Sequence, residues 1–249
     1  MNAEQEHTKD RHLWTTERLG ALEFEKNIRT CPKTGLFFIN NFLFDRESLS
    51  HNYPVIFTNG SCLDNGRRNP RAGFGIAAGT CSSRQIVMPL SDRPSHPDIR
   101  TNQRAELFGA IIGLYPGVNL LADWLEELPD RGYAKTSVVI ATDSESVVNG
   151  ITELLPKSKA DNYTTSTGDL PRNLDLILEL EERVVVCETR QSTNIRFLLV
   201  PQGANWLACG LSNSAAAMDI PRHSAGGHIW EQERKIALAQ STALQRAFG

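Results

Sequence analysis

Four short segments carry the residues with chemical reach: Thr58 to Cys62 (TNGSC), Thr101 to Leu107 (TNQRAEL), Ala141 to Gly150 (ATDSESVVNG), and the run VPQGANWLACGLSNSAA from Val200, which holds Cys209. Glu106 and Asp143 are carboxylates of two separate segments. Such acids suit a hard divalent cation, and phosphodiester hydrolysis by water needs cations to activate the nucleophile and neutralise developing charge. Asn59 offers only a neutral amide oxygen, and Cys209 a soft sulfur that magnesium disfavours. Each residue also has a plain structural reading. Asn59-Gly60 suits a hairpin turn. Glu106 suits a solvated position near a helix start. Thr142 and Glu145 fit a capping box around Asp143. Cys209 suits the buried side of an amphipathic helix.

The elements that must position these residues follow from hydrophobic periodicity. Apolar runs of strand length, bounded by turn residues, occupy Tyr53 to Thr58, Ala72 to Ala78 and Gln85 to Pro89, and predict two hairpins. Leu107, Ala110, Ile111 and Leu114 repeat at helical spacing, predicting a helix from Thr101 to about Tyr115 that Pro116 ends. A second helix-like piece surrounds Trp124. The unbroken Val138-Val139-Ile140 run predicts a buried strand over Thr136 to Ala141. Helices from Ser144 to Leu155 and from Pro171 to Val186, a strand from Asn194 to Val200 and a helix from Asn205 to Ala217 complete the series. The order specifies a mixed α/β protein with helices on a sheet.

Composition narrows the classes. The 249 residues carry 26 Lys plus Arg against 29 Asp plus Glu, a net charge of -3, so any nucleic-acid contact must rest on local patches. The five cysteines are odd in number and lack CxxC or zinc-type spacing, which suits reduced thiols in the cytoplasm or nucleus. The polar start MNAEQEHTKDRHLW has no apolar h-region, and no stretch suits a membrane span. The apolar segment Gly35 to Asp45 reads as a strap packed on the domain.

In their order and spacing, the four segments resemble type 1 ribonuclease H over roughly residues 53 to 218. That resemblance implies a five-stranded mixed sheet flanked by helices, with residues 1–52 as an extension and 219–249 as a C-terminal amphipathic helix. It also implies two Mg2+ ions held by four carboxylates, of which Glu106 and Asp143 remain. Asn59 stands where the first, bridging Asp belongs and Cys209 where the last belongs. Asn102 and Gln103 match positions that touch 2′-hydroxyls in the minor groove. The linker from Glu153 to Leu176 resembles the region that grips the DNA strand, with Lys157, Lys159, Tyr163 and Thr165 as its contact residues. Arg67 and Arg68, with Arg71, make a basic hairpin able to lie on phosphates; a solvated turn is the plain alternative. The family's mobile His before the last helix is absent from Gln202-Gly203-Ala204.

The resulting expectation is a domain that binds RNA–DNA hybrid or other nucleic acid, with Mg2+ held weakly or as a single ion and cleavage of the RNA strand weakened or lost. Two other readings stand beside it. One is an active hybrid ribonuclease in which Asp64 or Glu145 compensates for the lost ligands, and the other is a protein-interaction scaffold with no nucleic-acid role.

Overall fold

The computed structural model describes residues 28–39, 53–67, 69–90, 100–114, 137–161, 163, 170–190 and 193–218. Among the described residues, seven strands run as β1 (Ile28–Thr30), β2 (Phe37–Ile39), β3 (Val55–Leu63), β4 (Arg71–Ala77), β5 (Gln85–Pro89), β6 (Ser137–Thr142) and β7 (Asn194–Leu199). The α-helices are α1 (Asn102–Leu114), α2 (Glu145–Asn149), α3 (Leu155–Ala160), α4 (Leu174–Arg190) and α5 (Trp206–Ala217). β3 to β7 form one mixed sheet in the order β5-β4-β3-β6-β7. The first three strands pair antiparallel as a meander, whereas β6 and β7 lie parallel to β3 and are reached by helical crossovers.

Asn59-Gly60 is not a turn. Both residues continue β3, opposite Gly75 and Phe74 of β4, and the chain reverses later, where Asp64 (φ 57°) and Gly66 (φ 79°) adopt left-handed backbone. The dipeptide signal is overridden because Gly60 is needed for close packing. A Cβ there would lie 2.0 Å from the Glu106 backbone nitrogen, so only glycine lets α1 descend onto β3. On the opposite face α5 also comes close, since a Cβ on Gly73 or Gly75 would lie 2.5 Å from the Cβ of Ala215 or Leu211 respectively.

These two approaches divide the core. One side gathers Phe74, Leu107, Ile111, Ile140, Leu180 and Phe197 beneath α1 and α4. The other gathers Val55, Phe57, Val139, Leu198 and Ala208 beneath α5. The β1–β2 hairpin caps the end of the sheet: Leu36 and Phe38 enter the first cluster, while Phe37 meets Phe57 edge to face in the second, with ring centroids 5.4 Å apart. Thus the 35–39 portion of the apolar segment is covered by its own chain.

The helix expected from Ser144 to Leu155 runs on to Ala160 through a π-helical turn at Gly150–Leu154. Pro156 follows shortly after this π-helical turn, at the start of α3. The helix that begins after β6 is capped by Ser144, whose Oγ accepts from the Val147 N–H at 3.3 Å; the Thr142–Glu145 capping box does not form. Thr101 caps α1 by accepting from the Arg104 N–H at 3.2 Å. All five cysteines are free thiols. No helix among the described residues is long and apolar enough to cross a membrane. The helix expected near Trp124 and the C-terminal helix lie outside the described residues.

Candidate functional site

β3 pairs with β6 over three residue pairs, of which Phe57 and Ala141 are the last. Beyond that register the strands part, and side chains from both faces of the sheet can meet in the gap. Asp143 follows the end of β6 there, Asn59 lies on β3, Glu106 comes from the second turn of α1 and Cys209 from the first turn of α5. The structure brings all four together. Asn59 and Gly60 alternate across the sheet, so Gly60 meets α1 while Asn59 turns to α5.

Protein donors hold both carboxylates. Glu106 Oε2 accepts from Ser144 Oγ at 2.5 Å and lies 3.1 Å from Ser146 Oγ. The two serine oxygens are 2.8 Å apart. Because Ser144 directs its single hydroxyl hydrogen to Glu106, Ser146 supplies the hydrogen for one of its own two contacts. Asp143 Oδ1 accepts from Asn205 Nδ2 at 2.6 Å, and Asn205 also donates to the Thr58 carbonyl at 3.0 Å. Asp143 Oδ2 faces the Cys209 thiol at 3.9 Å. Asn59 is largely buried, and its Nδ2 donates to Ser212 Oγ at 3.0 Å; Ser212 in turn donates to the Cys209 carbonyl at 2.9 Å.

Burial, followed by the neighbouring charge of Asp143 and then that of Glu106, pushes the Cys209 thiol up to about 11. It is therefore protonated at neutral pH and acts as a weak donor toward Asp143. An aspartate at position 59 or 209 would present an acceptor. Asn59 and Cys209 instead present a donor to Ser212 and to Asp143 respectively, and so reverse the hydrogen-bonding polarity of the pocket.

Sequence reasoning passed over Asn205, Ser212, Ser144 and Ser146. Asn205, Cys209 and Ser212 occur at i, i+4 and i+7, one face of a single helix, and that spacing was the available signal. The serines fall within the quoted segment after Asp143, where nothing in the spacing distinguishes a carboxylate clamp from a cap.

The candidate nucleic-acid residues are less uniform. Asn102 Oδ1 accepts from the Cys62 N–H at 2.6 Å, tying α1 to β3. Gln103 Oε1 accepts from Asn173 Nδ2 at 3.2 Å. Beside them lies a groove of about 350 Å³ lined by residues that include Gln103, Ser146, Leu154, Lys157, Arg172 and Asn173. Asn173 of this lining also accepts at 3.4 Å from the buried Arg104, which donates to both oxygens of Asp175 at 3.1 and 2.8 Å. Lys159 is paired with Glu181 at 2.7 Å, and the exposed Arg67 with Asp64 at 3.3 Å. Tyr163 (φ 60°) packs partly against the core. Arg68 and Thr165 lie outside the described residues.

The chain matches the RNase H family over residues 51–191, more than half its length. It belongs to the RNase H family, type 1. The matched span contains Asn59, Glu106 and Asp143 and ends before β7 and α5, so Cys209 lies outside it. It is 29% identical to human Ribonuclease H1 over 157 residues, covering 63% of this chain and 46% of that one. It is 32% identical to Ribonuclease H of Schizosaccharomyces pombe over 123 residues, covering 49% and 38%. This RNase H chain therefore spans less than half the length of these two relatives. The solved structure of LC11-RNase H1 from compost shares 20% identity at a TM-score of 0.41, covering 66% of this chain and 96% of that one.

RNase H proteins are typically dependent on divalent metal. The residues gathered here do not fit a pair of Mg2+ ions. Glu106 and Asp143 already accept from protein donors, Asn59 is neutral, and the Cys209 thiol is both soft and protonated. Among the described residues, no group of three or more His, Cys, Asp or Glu could hold a metal ion.

Proposed function

We propose that this RNase H domain binds RNA–DNA hybrid along the groove beside α1 and α4, and that cleavage of the RNA strand is weakened or lost. The observation that carries the reading is the donor shell around Glu106 and Asp143. Serine and asparagine donors occupy positions on the carboxylates that cations would otherwise take, and the two replaced positions add no negative charge. Hybrid binding is supported by family membership and by Gln103, Lys157 and Arg172 along one groove. The five free thiols go with an intracellular setting, in cytoplasm or nucleus.

The test compares wild type with Glu106→Gln for binding and Mg2+-dependent cleavage of labelled hybrid. The reading expects salt-sensitive binding in both proteins and little or no cleavage in either. Rapid wild-type cleavage that Glu106→Gln abolishes would establish an active enzyme with a compensating ligand. Absence of hybrid binding at low salt would instead leave the domain as a protein-interaction scaffold.

A further inference from the structure

Trp206 opens α5 and is 67% exposed, although its chain neighbour Asn205 is fully buried against Asp143. The opposite side of the helix supplies the packing: Ala208, Ser212, Ala215 and Ala216 are buried, and the helix sits closely on Gly73 and Gly75. Trp206 is therefore not placed by the core. One turn to either side, at i−3 and i+4, stand Gly203 and Gly210, and a Cβ built on either would meet nothing within 4 Å. The ring is thus flanked by a glycine on each adjoining turn.

The chemistry of the surrounding surface identifies a ligand class. From Val200 to Met218 the sequence has no Asp, Glu, Lys or Arg, and the exposed neighbours Gln202 and Asn213 are neutral amides. A protein hot spot would set such a ring among other large apolar groups. Along its own helix Gly203 and Gly210 flank it, and Gln202 and Asn213 are exposed amides. A flat, uncharged base has a π-face for the indole and edge donors and acceptors for the amides. Bases inside a duplex are stacked on both faces, so an unpaired base is the ligand that best offers a free one.

Resting on the hybrid-binding reading, we propose that Trp206 is a stacking platform for one unpaired nucleobase at the rim of the Asp143 pocket. The preferred ligand is consequently a hybrid carrying a single-stranded extension, rather than a blunt hybrid.

The experiment measures binding of the full chain to three labelled ligands: a blunt RNA–DNA hybrid, the same hybrid with a short single-stranded extension on either strand, and that extension made abasic. Wild type should bind the extended hybrid about five-fold or more tighter than the blunt one, the lower end of the range for stacking one base. This advantage should vanish with the abasic extension and with Trp206→Ala, and persist with Trp206→Phe. It should also have the same size at low and high salt, because no charged residue of α5 contributes. Circular dichroism should show Trp206→Ala folded, as expected of an exposed position. Equal binding of blunt and extended hybrids would overturn the platform while leaving hybrid binding intact. An advantage retained by the abasic extension would assign the effect to the backbone and also overturn it. If wild type binds none of the three ligands, the hybrid-binding reading fails together with the platform. If Trp206→Ala alters self-association and leaves nucleic-acid affinity unchanged, the face belongs to a protein and the proposal is refuted.

Discussion

Replacing Asn59 and Cys209 by aspartate tests whether the pocket has exchanged cation binding for internal hydrogen bonding. Cys209 Sγ lies 3.9 Å from Asp143 Oδ2. A second carboxylate at that distance would raise the energy of the doubly ionised pair by about 4 kcal/mol at an effective dielectric of ~20. That corresponds to about three pH units on the new group. Asn59→Asp also replaces the amide that donates to Ser212 with an acceptor. The double variant should therefore be less stable than wild type in metal-free buffer, and its carboxylates should seek a cation. Mg2+ at a hundred times its dissociation constant would return about 2.7 kcal/mol. For a domain of this size, a gain of that order raises the melting temperature by about 5–10 °C. Scanning calorimetry with and without Mg2+ should show this rise in Asn59→Asp/Cys209→Asp and no comparable rise in wild type. Cleavage of the RNA strand should increase by orders of magnitude in the same variant, with each single change recovering less because the ligands act as a unit. An equal Mg2+ shift in wild type would refute the reasoning, as would a double variant that is neither destabilised nor responsive to Mg2+.

Asn205→Ala removes the 2.6 Å amide donor from Asp143, and should cost about 1.5–3 kcal/mol in urea denaturation, the range for hydrogen bonds to charged groups. An unchanged midpoint would show that Asp143 does not depend on it. Gly60→Ala places a Cβ 2.0 Å from the Glu106 nitrogen and should prevent native packing of α1 on β3, visible as lost near-ultraviolet dichroism; a native spectrum would contradict the close approach. The Cys209 and Cys187 thiols are both pushed up to about 11 from an ordinary 9.0, chiefly by burial. The fold favours the neutral thiols, whereas the unfolded chain ionises them near 9.0, so this contribution is complete below that pH and is lost as pH rises through about 11. Denaturation midpoints should accordingly fall across this window, and less steeply in Cys209→Ala; parallel curves would rule out a contribution from Cys209.

Most of the sheet was legible because its strands announce themselves locally: Gln85–Pro89 and Val138-Val139-Ile140 are bounded apolar runs, and burial agrees with local propensity. The Asn59-Gly60 turn signal failed because it describes a dipeptide, whereas the decisive fact is α1 lying against Gly60 from more than forty residues away. Glu106, Asp143, Asn59 and Cys209 were recognisable as one constellation through motif order. Their bonding was not, since Ser144 and Ser146 reach Glu106 only after α1 and the start of α2 have packed side by side. The π-helical turn at Gly150–Leu154 has no clear local signature, and the Gly150 position opposite Ile177 is a tertiary circumstance.

The docking of α5 has a kinetic consequence. Asn205 meets Thr58 across 147 residues and Ser212 meets Asn59 across 153, among the most distant contacts in the fold and the slowest kind to find. A twelve-residue helix interrupted by Gly210 is too short to persist alone, so α5 acquires its helicity largely as it settles on Gly73 and Gly75. During synthesis the rest of the sheet can form while Asp143 still lacks its amide partner. Completion of the pocket then coincides with the arrival of α5, and any delay in that step leaves a nearly finished sheet with an open face and an unsatisfied carboxylate, the kind of intermediate that invites aggregation.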